Sequence, residues 1–302
     1  DVIHSHTWYA NMAGHTASLL YGTPHIVSAH SLEPLRPWKA EQLGGGYQIS
    51  SWAEKTSYEA AAAIIAVSDG MRADVLAAYP DVDPKKVVTI RNGVDTSKFA
   101  PNNNPAVLEE FGITGRYAMF VGRITRQKGL AHLLRAWKSV PAEYGLVLAA
   151  GSPDEETVGN EVAALIAELQ ATRSNVWWIK EMLPHDKLTA ALTQADLFLC
   201  PSIYEPLGIV NLEAMGCETA VLASRVGGIP EVVSHQETGI LVDYTPDHSR
   251  FEADLTAAIS ELMADPARLE KYGKAGRVRA ETHFGWDAVA QQTISLYRSV
   301  IS

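Results

Sequence analysis

The sequence has few cysteines and no long apolar segment, and both shortages exclude classes of protein. Its 302 residues include two cysteines, too few for a disulfide framework or a four-cysteine zinc site. Its longest unbroken apolar run is Ala60–Val67, eight residues, whereas a membrane-spanning helix needs ~20. We therefore predict a reduced, cytoplasmic protein with no membrane partner.

Positive charge is also scarce, and two common ligand motifs are missing. The 25 Lys and Arg residues against 35 Asp and Glu residues give a net charge of −10, which makes nucleic acid a poor partner. No Gly-x-Gly-x-x-Gly fingerprint occurs, because the glycine run 44–46 is followed by Ile49 at the last position, which argues against a nicotinamide or flavin cofactor. His4 and His6 are spaced like metal ligands, but no further ligand follows at the required spacing, so no metal is predicted.

Short apolar strands alternate with amphipathic helices along the chain, the pattern of α/β proteins with parallel sheets. About four strands precede the polar segment 100–105, and about six strand–helix units follow it. This pattern predicts two doubly wound domains, 1–104 and 105–285, with a final helix in 286–302 that packs back on the first domain. The first domain is incomplete in this pattern. Because Asp1 stands directly in a strand pattern without a preceding Met, we expect the N-terminal part of a longer protein to be missing.

The first motif, Val121–Gly129, follows a predicted strand and precedes a helix. Gly122 lets the backbone approach a ligand closely. Arg123 supplies a fork-shaped donor and Lys128 a point charge, a combination that suits a diphosphate. A solvated basic turn is the alternative for this motif taken alone.

The second motif, residues 201–215, follows the predicted strand Leu197–Cys200. Pro206 indicates the start of the helix predicted over Gly208–Met215, which would present backbone amides to an anion; those amides belong to Leu207, Gly208 and Ile209. The acids Glu205 and Glu213 lie eight residues apart, roughly 10 Å along a helix. We expect them to bind hydroxyl groups on both sides of a diphosphate, although Glu213 also fits a surface helix position.

Further polar residues follow other predicted strands. His30 ends the strand His25–Ala29, and the loop after it offers stacking and charge to an acceptor molecule; its candidate acceptor-binding residues are Arg36, Trp38 and Lys39. Weaker features are the segment 151–154 and the glycine pair 227–228, which predicts a tight turn.

Together these motifs resemble the retaining GT-B glycosyltransferases of family 4. The resemblance rests on 122–129, on Glu205 and Glu213, and on the segments 91–95 and 227–231. It extends over essentially the whole chain, and the stretch His30–Tyr47 is similar to the actinobacterial glycogen synthase branch. The implied fold is GT-B, with two Rossmann-like domains facing a cleft.

The resemblance implies an activity and a role for each matching residue. The branch transfers glucose from ADP-glucose to an α-1,4-glucan end or to glucose 1-phosphate, with no metal and no cofactor. Arg123 and Lys128 would neutralise the leaving diphosphate, Glu205 would hold sugar hydroxyls and Glu213 the ribose. His30 would lie beside the glucose. The donor-binding positions implied are Gly122, Arg123, Lys128, Met182, Glu205, Leu207, Gly208, Ile209 and Glu213.

Several alternatives remain open from sequence. Within the family they are a mannosyl- or trehalose-forming transferase. Outside this activity they are a sugar-nucleotide epimerase on a similar fold and a non-catalytic donor-binding fragment with impaired or absent turnover. The nucleobase, the natural acceptor and the oligomeric state, a homodimer included, are not determined by the sequence.

Overall fold

The computed structural model describes residues 1–40 and 44–301. The stretch His30–Tyr47, which is similar to the glycogen synthase branch, includes residues 41–43, and these three lie outside the described residues. The chain divides into two compact units, 1–93 with the segment that starts at Trp286, and 94–285. The division therefore falls before the polar segment 100–105, which sequence analysis used as the boundary. In that segment, the backbone N–H of Asn102 donates to the hydroxyl oxygen of Thr193 at 2.9 Å. The segment is therefore bound to the second unit.

The first unit contains a four-stranded parallel sheet in the order β1-β2-β3-β4. Its strands are β1 (Ile3–His6), β2 (His25–Ala29), β3 (Ala63–Ala66) and β4 (Val87–Thr89). Its helices are α1 (Trp8–Tyr21), α2 (Gly46–Ala60), α3 (Asp69–Ala78) and the C-terminal helix (Trp286–Ile301). Every residue of β2 and β3 is buried, and apolar residues of this sheet pack against the C-terminal helix.

The second unit contains a six-stranded parallel sheet in the order β10-β9-β8-β5-β6-β7. Its strands are β5 (Tyr117–Ile124), β6 (Gly145–Pro153), β7 (Val176–Ile179), β8 (Leu197–Cys200), β9 (Ala220–Ser224) and β10 (Gly239–Val242). Its helices are α4 (Ala106–Phe111), α5 (Leu130–Trp137), α6 (Glu156–Thr172), α7 (His185–Thr193), α8 (Ile209–Gly216), α9 (Ile229–Val232), α10 (His248–Met263) and α11 (Pro266–His283). Among the described helices of both units, none is both long enough and apolar enough to cross a membrane.

The strand order of the second unit reverses direction between β5 and β8. From β5 the chain adds β6 and β7 on one side, and from β8 it adds β9 and β10 on the other. Open parallel sheets bind ligands in the crevice that forms at such a reversal, outside the carboxyl ends of the strands. The topology alone therefore points to the loops after β5 and β8 as the place for a site.

Helix α11 packs closely enough against the second sheet to require a glycine. A Cβ atom on Gly273 would lie 2.0 Å from the backbone oxygen of Glu218, which no side-chain rotation can relieve. We expect Gly273→Ala to lower the free energy of unfolding by about 2 kcal/mol or more, the scale of overpacked cores. Urea unfolding measures the change. Gly285→Ala is the control, since its Cβ would meet no atom closer than 3.8 Å; equal stability of the two variants would contradict this account of the packing.

Candidate functional site

The candidate site of the second unit begins at a bulge near the end of β5. The pairing of β5 with β6 shifts register between Gly122 and Ile124, and such bulges turn a side chain out of the sheet. A 3-10 turn, Arg126–Lys128, follows, and the Thr125 hydroxyl accepts from its last backbone N–H. The end of β5 and this turn therefore present the two predicted phosphate-binding cations, Arg123 and Lys128, at the carboxyl edge of the sheet.

Two backbone contacts join this loop to the loop after β8. The N–H of Ile203 donates to the oxygen of Gln127 at 2.9 Å. Gly129 has a φ of +65°, and a Cβ there would lie 2.0 Å from the oxygen of Pro201. A glycine is required at this point because no side chain fits between the two loops.

A partly buried ion pair lies between the same two loops. Lys128 Nζ is 2.6 Å from Glu205 Oε2, with the two side chains 17% and 11% exposed. Burial alone lowers the pKa of the Lys128 ammonium, but the Glu205 carboxylate and nearby Cys200 raise it by more, so the pKa lies above its ordinary value. The pair therefore presents a stably charged ammonium beside a carboxylate at the switch point.

Glu205 is also held by a residue of its own loop and by the loop after β9. The hydroxyl of Ser202 donates to Glu205 Oε2 at 3.3 Å, and the N–H of Gly228 donates to the Glu205 backbone oxygen at 3.0 Å. Gly227 has a φ of +51°, and a Cβ there would lie 2.0 Å from that same oxygen. The glycine pair 227–228 thus packs on the backbone of Glu205, and three strand ends converge on this residue.

The helix predicted over Gly208–Met215 is confirmed to within one residue, as α8 (Ile209–Gly216), but Pro206 is not its first residue. Gly208 adopts the left-handed conformation with a φ of +95° directly before the helix and interrupts the turn. Leu207 and Gly208 therefore precede the helix, and Leu207 is buried. The spacing of roughly 10 Å, which treated 205–213 as one helix, does not apply either.

Asn211 lies in the first turn of α8 and is fully buried. Among the described residues, neither polar atom of its side chain has a hydrogen-bond partner. Its Nδ2 lies where a side chain at Gly208 would be, 2.7 Å from the position of that Cβ. A buried amide with unsatisfied groups beside a helix start is a feature that sequence analysis missed, although its place in the second motif offered a signal.

Glu213 projects from α8 and is half-buried. Burial raises its pKa to about 7, against the opposing influences of His185 and Lys128. The carboxyl group therefore changes charge near neutral pH.

A cavity of about 570 Å³ lies beside Gly122 and Arg123, bounded by residues that follow β6 and β7. Met182 lines it and is 94% exposed. Across the cavity wall, Arg123 Nη1 donates to both carboxylate oxygens of Asp154 at 2.8 and 3.0 Å. Asp154 was predicted only as part of the weak segment 151–154, although its place directly after a strand was the available signal.

The remaining predicted residues lie in the first unit. His30 follows β2, and its Nε2 is 2.8 Å from Nδ1 of His6. Burial, and then the neighbouring His6, lower the pKa of His30. His6 was considered earlier only as a metal ligand; across the described residues, no group of three or more His, Cys, Asp or Glu side chains could hold a metal ion.

The candidate acceptor loop is organised around a buried carboxylate. Glu33 is fully buried and pairs with Arg36, while Lys39 Nζ is 3.8 Å from the same Glu33 oxygen. Glu54 of α2 accepts the N–H of Glu33 at 2.8 Å, and burial raises its pKa to about 7. Trp38 is half-buried in the same loop. The acceptor role of Arg36, Trp38 and Lys39 stays a prediction. Arg36 and Lys39 also contact the buried Glu33.

Comparison with known proteins gives the class. A model described as glycosyl transferases group 1 matches residues 109–279, and one described as glycosyltransferase family 4 matches residues 1–98. The chain is 54% identical to an alpha-maltose-1-phosphate synthase of Mycolicibacterium smegmatis and 52% identical to one of Mycobacterium tuberculosis, in both cases over 99% of this chain and 79% of the relative. Sucrose-phosphate synthase from Thermosynechococcus elongatus matches with a TM-score of 0.84 at 27% identity, over 99% of this chain and 73% of that one.

The fold and these matches define a glycosyltransferase of the GT-B type. The chain belongs to the glycosyl transferases group 1 family, and its first part matches glycosyltransferase family 4. The predicted fold class and the resemblance to family 4 are both confirmed.

The raised pKa of Glu213 has a consequence for stability. Between its ordinary pKa of 4.5 and its folded value of about 7, the folded chain keeps a proton that the unfolded chain has lost. The contribution of Glu213 to the free energy of unfolding therefore falls as the pH rises from 4.5 to about 7. Over the whole of that range the loss is on the order of 3 kcal/mol. We expect Glu213→Gln to gain stability over the wild type between pH 5 and pH 8, measured by urea unfolding.

The control for this comparison is Glu168→Gln, which removes the same charge from an exposed pair with Lys138. The difference in free energy of unfolding between Glu168→Gln and the wild type should be nearly the same at pH 5 and at pH 8. If the difference between Glu213→Gln and the wild type were also the same at both pH values, the raised pKa of Glu213 would be contradicted.

Proposed function

We propose that this glycosyltransferase transfers glucose from ADP-glucose, with glucose 1-phosphate as the first acceptor to test and an α-1,4-glucan end as the second. The observation that carries the proposal is the Lys128–Glu205 pair at the switch point, beside Arg123 and a cavity of about 570 Å³. An ammonium and a guanidinium suit a diphosphate, and carboxylates suit sugar hydroxyls. The names of the relatives at 52–54% identity support the acceptor.

The proposed reaction balances without a cofactor. The bond between the glucose anomeric carbon and the ADP β-phosphate oxygen breaks, and a bond from that carbon to an acceptor hydroxyl oxygen forms. The departing β-phosphate oxygen takes the proton of that hydroxyl, and glucose 1-phosphate becomes maltose 1-phosphate. We expect the configuration at the anomeric carbon to be retained, as the resemblance implies.

The residues of the second unit have distinct proposed roles. Lys128 and Arg123 neutralise the charge that develops on the leaving diphosphate, which is the largest electrostatic demand of the step. Glu205 accepts hydrogen bonds from sugar hydroxyls while it holds Lys128 in place. Glu213 accepts from the ribose in its ionised form, and Met182 marks the wall that faces the base.

The activity test mixes the full chain with ADP-glucose and glucose 1-phosphate and measures ADP release and maltose 1-phosphate formation. We expect release to depend on the acceptor, and Lys128→Ala to lower kcat/KM by about 100-fold or more, the scale of a lost charge-stabilising donor. Lys138→Ala is the control because Lys138 is an exposed cation paired with Glu168 on helix α6.

Parallel reactions separate the alternatives. Preference for UDP-glucose or GDP-mannose, or turnover with a glucan but not with glucose 1-phosphate, would replace the proposed substrates. Conversion of the nucleotide sugar without any acceptor would indicate an epimerase. Saturable ADP binding without turnover would indicate a donor-binding protein.

His30 lies in the first unit, and we propose that it contacts the transferred glucose. We expect His30→Ala to lower kcat by about tenfold or more while ADP affinity, which depends on the second unit, stays unchanged. The control is His283→Ala, an exposed histidine in the last turn of α11. An unchanged kcat for His30→Ala would remove this residue from the mechanism.

A further inference from the structure

Each cation of the segment Arg123–Lys128, which covers the end of β5 and the loop after it, faces a carboxylate from another loop. The pairs are Lys128 with Glu205 at 2.6 Å, Arg123 with Asp154 at 2.8 Å, and Arg126 with Glu155 at 3.4 Å. Three positive charges therefore meet three negative ones before any anionic ligand is added. A diphosphate that binds this loop must compete with carboxylates that already accept from its cations.

Asp154 is placed by the backbone of the sheet. Ile124 of β5 pairs with Pro153 of β6, and the N–H of Asp154 donates to the oxygen of Ile124 at 3.2 Å. The register shift after Gly122 lies directly before this pairing. The bulge and the pairing together bring Arg123 against Asp154, so the contact follows from the strand geometry.

The pair is accessible to a ligand. Arg123 and Asp154 both line the cavity of about 570 Å³, and their side chains are 69% and 32% exposed. Exposed ion pairs are weak, so a diphosphate can displace the carboxylate from the guanidinium. The displaced carboxylate then stays close to the phosphates and repels them.

We propose that Asp154 sets the affinity of the site for the donor and for the product ADP by competing with their diphosphate for Arg123. The inference rests on the proposed function. It assigns Asp154 a positioning role: the carboxylate holds the guanidinium in place before the diphosphate arrives, and it takes the guanidinium back when ADP leaves. Asp154 thereby lowers the affinity for ADP and favours its release.

The opposite role is also chemically possible for a carboxylate in this cavity. If Asp154 instead accepted a hydrogen bond from a hydroxyl or an amino group of the donor, its removal would weaken binding. The two roles therefore predict changes of opposite sign in the same measurement.

The test is isothermal titration of the full chain with ADP. We expect Asp154→Asn to bind ADP about threefold to tenfold more tightly than the wild type, and Asp154→Glu to restore wild-type affinity. In an Arg123→Gln background, Asp154→Asn should change the affinity by less than twofold, because the competition acts through Arg123. Steady-state kinetics should show a lower KM for the donor without a higher kcat.

Glu168→Gln is the matched control, since it removes one negative charge from an exposed pair elsewhere in the same unit. Its ADP affinity should equal that of the wild type. Asp154→Ala is a second variant without the carboxylate, in case Asp154→Asn has a folding defect. Thermal unfolding of every variant shows whether it is folded.

Three results would overturn the proposal. The first is unchanged or weaker ADP binding by both Asp154→Asn and Asp154→Ala. The second is tighter binding that persists in full in the Arg123→Gln background. The third is no ADP binding by the wild-type chain, which contradicts the proposed function as well, whereas the first two leave that function intact.

Discussion

The ion pair between Lys128 and Glu205 is the contact on which the second unit's site depends. It joins the loops after β5 and β8 in a partly buried position, where removal of either partner leaves a charge without compensation. The glycines at 129 and 227 are necessary for the same reason: each lets one loop lie directly on the backbone of the next. The pair therefore fixes the relative positions of the strand ends that carry the other polar groups.

The reversal of strand order explains why those groups are available to a ligand. Between β5 and β8 the helices diverge to opposite sides of the sheet, so the loops that follow these strands border an open crevice. Glu213 reaches the same region from α8, and its raised pKa shows the cost of burying a carboxyl group there. The ribose-binding role of Glu213 stays a proposal.

The fold was predictable where apolar runs decide it. The spans of β2 and β8 match the predicted strands residue for residue, since each is a short, fully buried run between polar turns. Helix α11 was not predicted, because its charged composition hides the few buried positions that hold it in place. The interruption between Pro206 and α8 was not predicted, because the left-handed conformation of Gly208 depends on contacts made after folding. The Arg123–Asp154 pair depends on a bulge and a strand register, which a linear sequence does not display.

Sequence alone also fails to separate cations that serve the fold from cations that remain available to a ligand. Arg36 lies in the polar loop after β2 and Arg123 lies at the end of β5, and both were assigned to ligands because of their places near strand ends. Arg36 is 13% exposed against the fully buried Glu33. Freeing Arg36 would leave this buried carboxylate dependent on the more distant Lys39, at 3.8 Å, at a cost of several kcal/mol. Arg123 is 69% exposed and pairs with Asp154, which stays solvated when Arg123 is released. The free energy needed to exchange partners, rather than the presence of positive charge, is what distinguishes a residue that can bind a diphosphate.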